Sequence, residues 1–513
     1  MRKIQVSPEW MLIICFAIFK LAIHFWTNAN YGLHRDEYLY LALADHLDFG
    51  YVSVPPSIAA FAKLASILFG DSVFAVRFFP ALIGAASVVI IGLMAKNLGG
   101  GKWAIALACA AFIVSPSFLR SNTLFMPVSF DQFYWLLCAY FILKFIQTQD
   151  PKFWIHLGLT AGLGFLNKYA IAFLIPAFIF ALLLTPQRKL FLSKYFVLGV
   201  LFGVLITLPN LVWQFNHNWP VVTHMAELQR TQLVNVSIAN FIVMQFLMNL
   251  PGVFVWLAGF AFLLFFADGK YRALGYTFLG VFLLLILLRG KHYYTLGIYT
   301  PLFAAGGYAI EQYFANRLRF VKPALIALMI VISLPVVPYS LPVLSYDEMV
   351  VYAEKSKSFG LDGALRWEDG RVHSLPQDYA DMIGWEELGE KVAAVYQNLS
   401  ATEKVQCAIY ADNYGQAGAV KYFGKKYGLP EPICFNETFL LWAPDSANTN
   451  MVIYINDETD NVKHFFSEVK QVGEISNPYA RENGLPIYLC RNPQNGFADF
   501  YREMVAELKN NYR

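Results

Sequence analysis

The fold of this chain is decided by the apolar run Trp10-Met-Leu-Ile-Ile-Cys-Phe-Ala-Ile-Phe-Lys-Leu-Ala-Ile-His-Phe-Trp26, which the segment Tyr31-Gly-Leu-His-Arg-Asp-Glu-Tyr38 follows after four residues. The run is long enough to cross a bilayer as one helix, because a hydrocarbon core of ~30 Å needs about 20 residues. It lacks a small-residue cleavage site, so we interpret it as an anchor and not as a removable leader. Asp36 and Glu37 thus lie side by side just beyond a predicted span, where such carboxylates indicate a functional site.

The composition is that of a polytopic membrane protein. Charged residues make up only 15% of the 513 residues, whereas they make up about 25% of an ordinary soluble domain. A window of about 19 residues finds apolar runs that predict about eleven helical spans. These runs lie near 10–27, 73–96, 103–119, 130–147, 153–167, 169–185, 195–213, 240–266, 273–288, 293–311 and 323–341.

Lysine and arginine residues set the predicted orientation of the spans. With a cytoplasmic amino terminus, 14 of these residues fall in inner segments and 8 in outer segments. Positive charges concentrate on the cytoplasmic side of membrane proteins. We therefore predict a cytoplasmic amino terminus, and an odd number of spans then places the carboxy-terminal region outside.

The chain divides into two regions of different character. Residues 1–344 are apolar and basic, whereas residues 345–513 carry more acidic than basic side chains. We predict a transmembrane domain over the first region and a soluble, extracytoplasmic α/β domain over the second. In the second region the patterns predict strands and helices, with strands at 405–410, 451–455 and 485–489 and helices at 385–398, 418–427 and 497–509.

The sequence lacks several common signatures. It contains no Cys-x-x-Cys or Cys/His metal spacing, no P-loop, no Gly-x-Gly-x-x-Gly after a strand and no Gly-x-Ser-x-Gly elbow. We therefore expect neither a nucleotide cofactor nor a nucleic-acid partner. One disulfide among Cys407, Cys434 and Cys490 is left open by the sequence.

The predicted topology collects charged residues from several helix ends at one outer membrane face. They are Asp36, Glu37, Asp131, Lys168, Arg289, Lys291 and His292. Lysine and arginine bind phosphate oxygens, while a carboxylate can accept a proton from a hydroxyl or hold a divalent cation. This combination indicates a reaction on a substrate with an anionic head and an apolar tail.

The loop 28–72 between the first two long spans is predicted to lie at the membrane surface. Residues 37–48 and 56–69 place apolar residues at helical spacing among charged ones, which is typical of interfacial helices. The pair Pro55-Pro56 would separate the two helices.

Several of these segments together resemble the GT-C glycosyltransferases. They are Asp36-Glu37, Gly50-Tyr-Val-Ser-Val-Pro-Pro-Ser57, Phe69-Gly-Asp-Ser-Val-Phe-Ala-Val-Arg77, Gly164-Phe-Leu-Asn-Lys-Tyr169 and Gly290-Lys-His-Tyr-Tyr-Thr-Leu-Gly-Ile-Tyr-Thr-Pro301. Within that group they are most similar to bacterial relatives of the protein O-mannosyltransferases and of the lipid A aminoarabinose transferase. The resemblance covers roughly residues 10–345.

The resemblance implies a polyprenyl-phosphate sugar donor, used at the outer face of a bacterial inner membrane with inversion at the anomeric carbon. The acceptor would be a lipid, a glycan or a protein. Asp36 would be the catalytic carboxylate, Glu37 a supporting residue and Asp131 the second acidic position. The residues on the phosphate side would be Lys291, Arg289, His292, Arg77 and Lys168. A divalent cation, Mg²⁺ or Mn²⁺, held by Asp36 and Asp131 is a further expectation.

Other interpretations of the same residues stay open. Asp36 and Glu37 could form a solvated loop end with Arg35, Asp131 could cap its helix, and Lys291 and Arg289 could be interfacial anchors. As a whole, the chain could instead be a transporter or flippase for an amphiphilic anion. A non-catalytic assembly factor is a third interpretation.

Overall fold

The computed structural model describes residues 7–231, 233–266, 269–315, 318–447 and 449–512. Arg2, Lys3 and Arg317, which were counted among the cytoplasmic charges, lie outside the described residues.

The described chain is largely helical. Helices α1 to α26 span Pro8–Thr27, Arg35–Asp45, Ser57–Phe69, Val73–Val76, Phe78–Asn97, Lys102–Val114, Pro116–Ser121, Pro127–Thr148, Phe153–Asn167, Ile171–Leu183, Lys194–Asn216, Pro220–Thr231, Ile238–Leu247, Val253–Phe265, Arg272–Leu287, Leu296–Tyr313, Val321–Ser333, Val337–Ser340, Tyr346–Ser358, Gln377–Ala380, Trp385–Gln397, Ala401–Val405, Tyr414–Gly424, Phe439–Trp442, Asp460–Phe465 and Phe497–Asn510. Short 3-10 turns lie at Pro186–Leu192, Leu233–Asn235, Leu250–Gly252, His292–Thr295, Gly363–Leu365 and Lys425–Tyr427.

Each of the eleven apolar runs coincides with helix in the structure, but the number of spans stays a prediction. Among the described residues, three helices are long and apolar enough to cross a bilayer, namely Pro8–Thr27, Val73–Asn97 and Lys194–Asn216. The pair Ile238–Leu247 and Leu250–Phe265 would make a fourth, bent by 73°. Other runs hold shorter apolar helices, such as α6 and α15.

Glycines allow the long helices of the first region to approach closely. A Cβ on Gly158 of α9 would lie 1.9 Å from the carbonyl oxygen of Gly199 of α11. A Cβ on Gly259 of α14 would lie 2.0 Å from the carbonyl oxygen of Leu302 of α16. Small residues at helix interfaces are the usual means of close packing in membranes, where lipid removes most of the hydrophobic driving force.

The carboxy-terminal region contains a four-stranded sheet. Strands β1 to β4 span Cys407–Ala411, Met451–Ile455, Phe466–Glu474 and Pro486–Pro493, in the order β1-β2-β4-β3. β1 and β2 are parallel, and the other pairs are antiparallel. The three predicted strands coincide with β1, β2 and β4, whereas the edge strand β3 was missed because most of its side chains are exposed or half-buried. The thiols of Cys407, Cys434 and Cys490 are free and buried.

The loop 28–72 and the carboxy-terminal region share one hydrophobic core. Tyr38 of α2 packs edge-on against Trp385 and Tyr422, and the backbone of Gly418 lies directly against Tyr38. Seven of the eleven residues of α2 are buried. The sequence predicted that the helix at 37–48 lies at the membrane surface with its polar face exposed. In the structure the carboxy-terminal region covers that face of α2, so most of the helix is buried.

A buried ion pair joins α2 to the entrance of α5. The Glu37 carboxylate accepts hydrogen bonds from Arg77 Nε at 3.0 Å and Nη2 at 2.7 Å, and both side chains are fully buried. The remaining donors of Arg77 reach the carbonyl oxygens of Asn28 at 2.9 Å and Gly32 at 2.7 Å. The remaining capacity of Glu37 is met by the backbone N–H groups of His34 and Phe125, both at 2.7 Å. Four separate segments are thus fixed by one pair.

We expect Glu37→Gln to destabilise the protein strongly, because it leaves the Arg77 guanidinium charged and unpaired in the interior. Breaking a buried ion pair from one side costs about 3–5 kcal/mol. The melting temperature of the purified protein in detergent measures the effect. Glu431→Gln serves as the matched control, since Glu431 pairs with Lys421 but is half-exposed, and such pairs contribute less than about 1 kcal/mol. Equal melting temperatures for the two variants would contradict the proposed role of the pair.

Candidate active site

The first turn of α2 sends its two carboxylates in different directions. His34 caps the helix, and its Nδ1 accepts the backbone N–H of Asp36 at 3.2 Å. Glu37 closes the reciprocal capping bond to the His34 backbone and points into the interior. Neighbouring residues on a helix do not face the same point, so Asp36 is left on the other side, where it is partly exposed.

Tyrosines surround Asp36. The Tyr414 hydroxyl donates to Asp36 Oδ1 at 2.7 Å, and Tyr40 and Tyr293 interact electrostatically with the same carboxylate. Burial, and next the nearby Asp36 charge, raise the pKa of Tyr414 well above its usual range. The phenol therefore stays protonated and can donate. Arg35, the ion-pair partner that the sequence left open, stacks its guanidinium over the Tyr414 ring at 4.8 Å and lies beyond salt-bridge distance of Asp36.

Asp131 and Lys168 form a second charged group. Asp131 lies inside α8, beyond its first turn, so it does not cap the helix. Its Oδ1 accepts a hydrogen bond from Trp135 Nε1 at 3.0 Å, and the carboxylate interacts electrostatically with Lys168. The Lys168 ammonium lies over the rings of Tyr293 at 5.2 Å and Tyr294 at 4.9 Å. Tyr293 is thus a common neighbour of Asp36 and Lys168.

The basic residues of the segment 289–292 lie in two environments. Lys291 and His292 are half-buried, with Lys291 near Lys168, whereas Arg289 is exposed. Lys291 interacts electrostatically with Lys168 and lies 3.9 Å from Glu368. His292 is half-buried beside it. Arg289 is exposed, with a left-handed backbone (φ 51°), and its Nη1 donates to the Val234 carbonyl at 3.3 Å.

The structure therefore sorts the residues predicted from the sequence. It brings Asp36, Asp131, Lys168 and Lys291 around Tyr293 and Tyr294, with His292 at the edge of this group. Arg289 lies on the surface, so we leave it out of the site. Glu37 and Arg77 lie in the interior with their polar atoms engaged by one another and by backbone groups, and we assign them to the scaffold.

Several contributors were missed by sequence reasoning, including Tyr293 and Tyr294, which directly follow the predicted residue His292. Tyr40 follows Asp36 by one helical turn and could have been found from that spacing. Tyr414 and Glu437 come from the carboxy-terminal region, and Glu437 interacts electrostatically with Asp36. Nothing local in the sequence relates residues 36, 414 and 437.

The side chains give the expected divalent cation little support. Among the described residues, no three His, Cys, Asp or Glu side chains lie together as a metal-binding group. Asp36 and Asp131 have separate partners, Tyr414 and Trp135. Mg²⁺ is often held by one or two carboxylates together with substrate phosphate oxygens and water, so the cation stays a prediction, and we derive no step through a metal.

Known proteins match parts of this chain in sequence. Residues 53–213 match the family model described as dolichyl-phosphate-mannose-protein mannosyltransferase. The lipid A galacturonosyltransferase RgtD of Rhizobium johnstonii is 28% identical over 209 residues, covering 40% of this chain and 43% of that protein. The undecaprenyl phosphate-alpha-4-amino-4-deoxy-L-arabinose arabinosyl transferase of Pseudomonas aeruginosa is 26% identical over 236 residues, covering 42% and 40%. The matched part thus spans less than half the length of these relatives.

Solved structures match nearly the whole chain. ArnT from Cupriavidus metallidurans bound to undecaprenyl phosphate has a TM-score of 0.61 at 12% identity, covering 94% of this chain and 98% of ArnT. The mycobacterial arabinofuranosyltransferase AftD has a TM-score of 0.53 at 13% identity, covering 95% of this chain and 40% of AftD. At such identities the likeness shows the fold. The chain therefore has the ArnT-like GT-C fold and resembles the membrane glycosyltransferases of that group.

Proposed function

We propose that the chain is a glycosyltransferase that moves a sugar from a polyprenyl-phosphate donor to a lipid, glycan or protein acceptor. The observation that carries this proposal is the grouping of one partly exposed carboxylate, Asp36, and two lysines, Lys168 and Lys291, around Tyr293 and Tyr294. The relatives support this proposal. One is named as a lipid A glycosyltransferase, another is named for an undecaprenyl-phosphate sugar, and the ArnT structure holds undecaprenyl phosphate.

Asp36 is the proposed general base. The acceptor hydroxyl attacks the anomeric carbon, its proton passes to the Asp36 carboxylate, and the bond between the anomeric carbon and the phosphate oxygen breaks. Attack from the side opposite the phosphate inverts the anomeric configuration. The Tyr414 hydroxyl holds Oδ1 of Asp36 in place throughout.

Lys168 and Lys291 are the proposed ligands of the departing phosphate. The leaving polyprenyl phosphate gains a second negative charge as the bond breaks, and fixed cations stabilise such charge. Asp131 interacts electrostatically with Lys168 and would help to hold its ammonium in the site. His292 lies next to Lys291 in the chain and would complete this end of the site.

We place the site at the outer face of the bacterial inner membrane. The positive charges favour a cytoplasmic amino terminus, and this orientation puts residues 345–513 outside as a periplasmic domain. The core shared by the outer loop and that region is consistent with both lying on one side of the membrane.

Asp36→Asn is expected to reduce sugar transfer by about 10²–10⁴-fold, the usual contribution of a general base. The measurement is transfer from a panel of undecaprenyl-phosphate sugars in proteoliposomes, with donor hydrolysis by water recorded in parallel. Asp71→Asn is the matched control, because Asp71 belongs to the same outer loop and is exposed; its activity should match that of the native chain.

Full activity in a folded Asp36→Asn variant would contradict the catalytic role of Asp36. Movement of the donor lipid across the bilayer without any transfer or hydrolysis would instead favour the transporter or flippase.

Lys168→Met and Lys291→Met are each expected to weaken the binding of undecaprenyl phosphate by about tenfold or more, because a hydrogen bond to a charged group contributes ~1.5–3 kcal/mol. The measurement is the dissociation constant for undecaprenyl phosphate in detergent. Arg289→Met should change it little, since Arg289 is exposed and directed at Val234. A larger loss in Arg289→Met than in the lysine variants would return Arg289 to the phosphate site and remove the lysines.

A further inference from the structure

A cavity of about 550 Å³ lies where α12 meets the carboxy-terminal region. Its size falls in the range of small-ligand pockets, ~300–1,000 Å³. Its lining includes Val52, His224, Asn436, Glu437 and Tyr512. Of these described residues, none belongs to the proposed phosphate site.

Glu437 is the unusual residue of this cavity. Its Oε1 lies 3.6 Å from His224 Nδ1, and the Ser53 side chain also interacts with the carboxylate. Within the described part of the chain, no hydrogen bond of normal geometry reaches the buried Oε2. Burial raises the pKa of Glu437. A buried carboxylate oxygen without a donor is costly, so this position calls for an O–H or N–H group from a ligand.

The backbone holds Glu437 in a strained conformation. Its φ is +56°, in the left-handed region that a side chain other than glycine rarely adopts. The flanking residues are fastened on both sides, since Asn436 Oδ1 accepts the Tyr414 N–H at 3.4 Å and Thr438 Oγ1 accepts the Val52 N–H at 3.1 Å. Strain of this kind persists where the surroundings impose it, and it clusters at functional sites.

Hydrogen bonds of Tyr414 link the lining of the cavity to the proposed catalytic base. Glu437 interacts electrostatically with Asp36, and Tyr414 links the two, since its backbone bonds to Asn436 and its hydroxyl bonds to Asp36. The proposed phosphate ligands approach Asp36 through Tyr293 instead. Asp36 is therefore connected to two different groups, a cationic one through Tyr293 and one that contains an unpaired acceptor through Tyr414.

We propose that this cavity binds the saccharide headgroup of a glycan or glycolipid acceptor, with one sugar hydroxyl donating to Glu437 Oε2 and another presented to Asp36. This inference rests on the proposed function and adds the acceptor class to it. A compact cavity with a few polar groups suits a sugar, whereas extended peptides usually bind along a sheet edge or a long groove. Glu437 thus acts in acceptor binding and takes no proton in the reaction.

The test compares two activities of one enzyme preparation. Transfer is measured to lipid A, to n-octyl glucoside and to a serine-containing peptide, and donor hydrolysis by water is measured without an acceptor. In Glu437→Gln we expect the KM for each of the two glycan acceptors, lipid A and n-octyl glucoside, to rise about tenfold. Donor hydrolysis should stay within about twofold of the native rate. Glu437→Asp keeps the charge but withdraws the oxygen, and it should give an intermediate KM.

Glu431→Gln is the matched control. Glu431 belongs to the carboxy-terminal region but lies outside the lining of the cavity, and its half-exposed carboxylate pairs with Lys421. The Glu431→Gln variant should keep the native KM for both glycan acceptors.

Three outcomes would overturn the assignment. Equal losses of transfer and hydrolysis in Glu437→Gln, with a lowered melting temperature, would show a structural role. Transfer to the peptide alone, or no transfer to either glycan probe by an enzyme that hydrolyses its donor, would exclude a saccharide in this cavity. Absence of all donor turnover in the native chain would reject the proposed function itself, and with it this inference.

Discussion

The buried pair of Glu37 and Arg77 is the constraint on which the rest of the site depends. Two charges removed from water require nearly complete hydrogen bonding, and here the partners come from the end of α1, the loop before α2, the entrance to α5 and the loop before α8. Each of these segments must hold its place for the pair to be satisfied. Because the side chain of Glu37 points into the interior, the side chain of the adjacent Asp36 points toward Tyr414. Glu37 therefore orients the proposed catalytic residue without taking part in the chemistry.

Tyrosines connect the charged groups of the site to one another. Tyr293 lies near both Asp36 and Lys168, and Tyr414 bonds to Asp36 while its backbone bonds to Asn436. A protonated phenol can face an anion with its hydroxyl and a cation with its ring, so it suits a boundary between opposite charges. Tyr293 thus connects the carboxylate of Asp36 with the ammonium of Lys168.

The sequence predicted the elements better than the contacts. The positions of the helices and of three of the four described strands follow from local patterns of hydrophobicity, whereas the membrane side of the charged residues stays a prediction. The sequence did not predict that Arg77 pairs with Glu37. An isolated arginine before a predicted span has the same sequence pattern whether it binds a phosphate or a buried glutamate. Tyr414 meets Asp36 across 378 residues, and no periodicity reports such a contact. The helix α2 was predicted at nearly the right residues, but its burial was not predicted for a related reason. The surface that covers it belongs to the carboxy-terminal region, far away in the sequence.

The proposed site combines residues from inside and outside the matched family segment. That segment, 53–213, contains Asp131 and Lys168, whereas Asp36, Lys291, Tyr414 and Glu437 lie outside it. The fold, by contrast, is shared over 94% of the chain with ArnT. An anionic leaving group requires fixed cations wherever it departs, whereas different acceptors require different polar groups. If the carboxy-terminal region meets the acceptor through Glu437 and its neighbours, the side chains of that region can therefore differ between enzymes that keep the same fold.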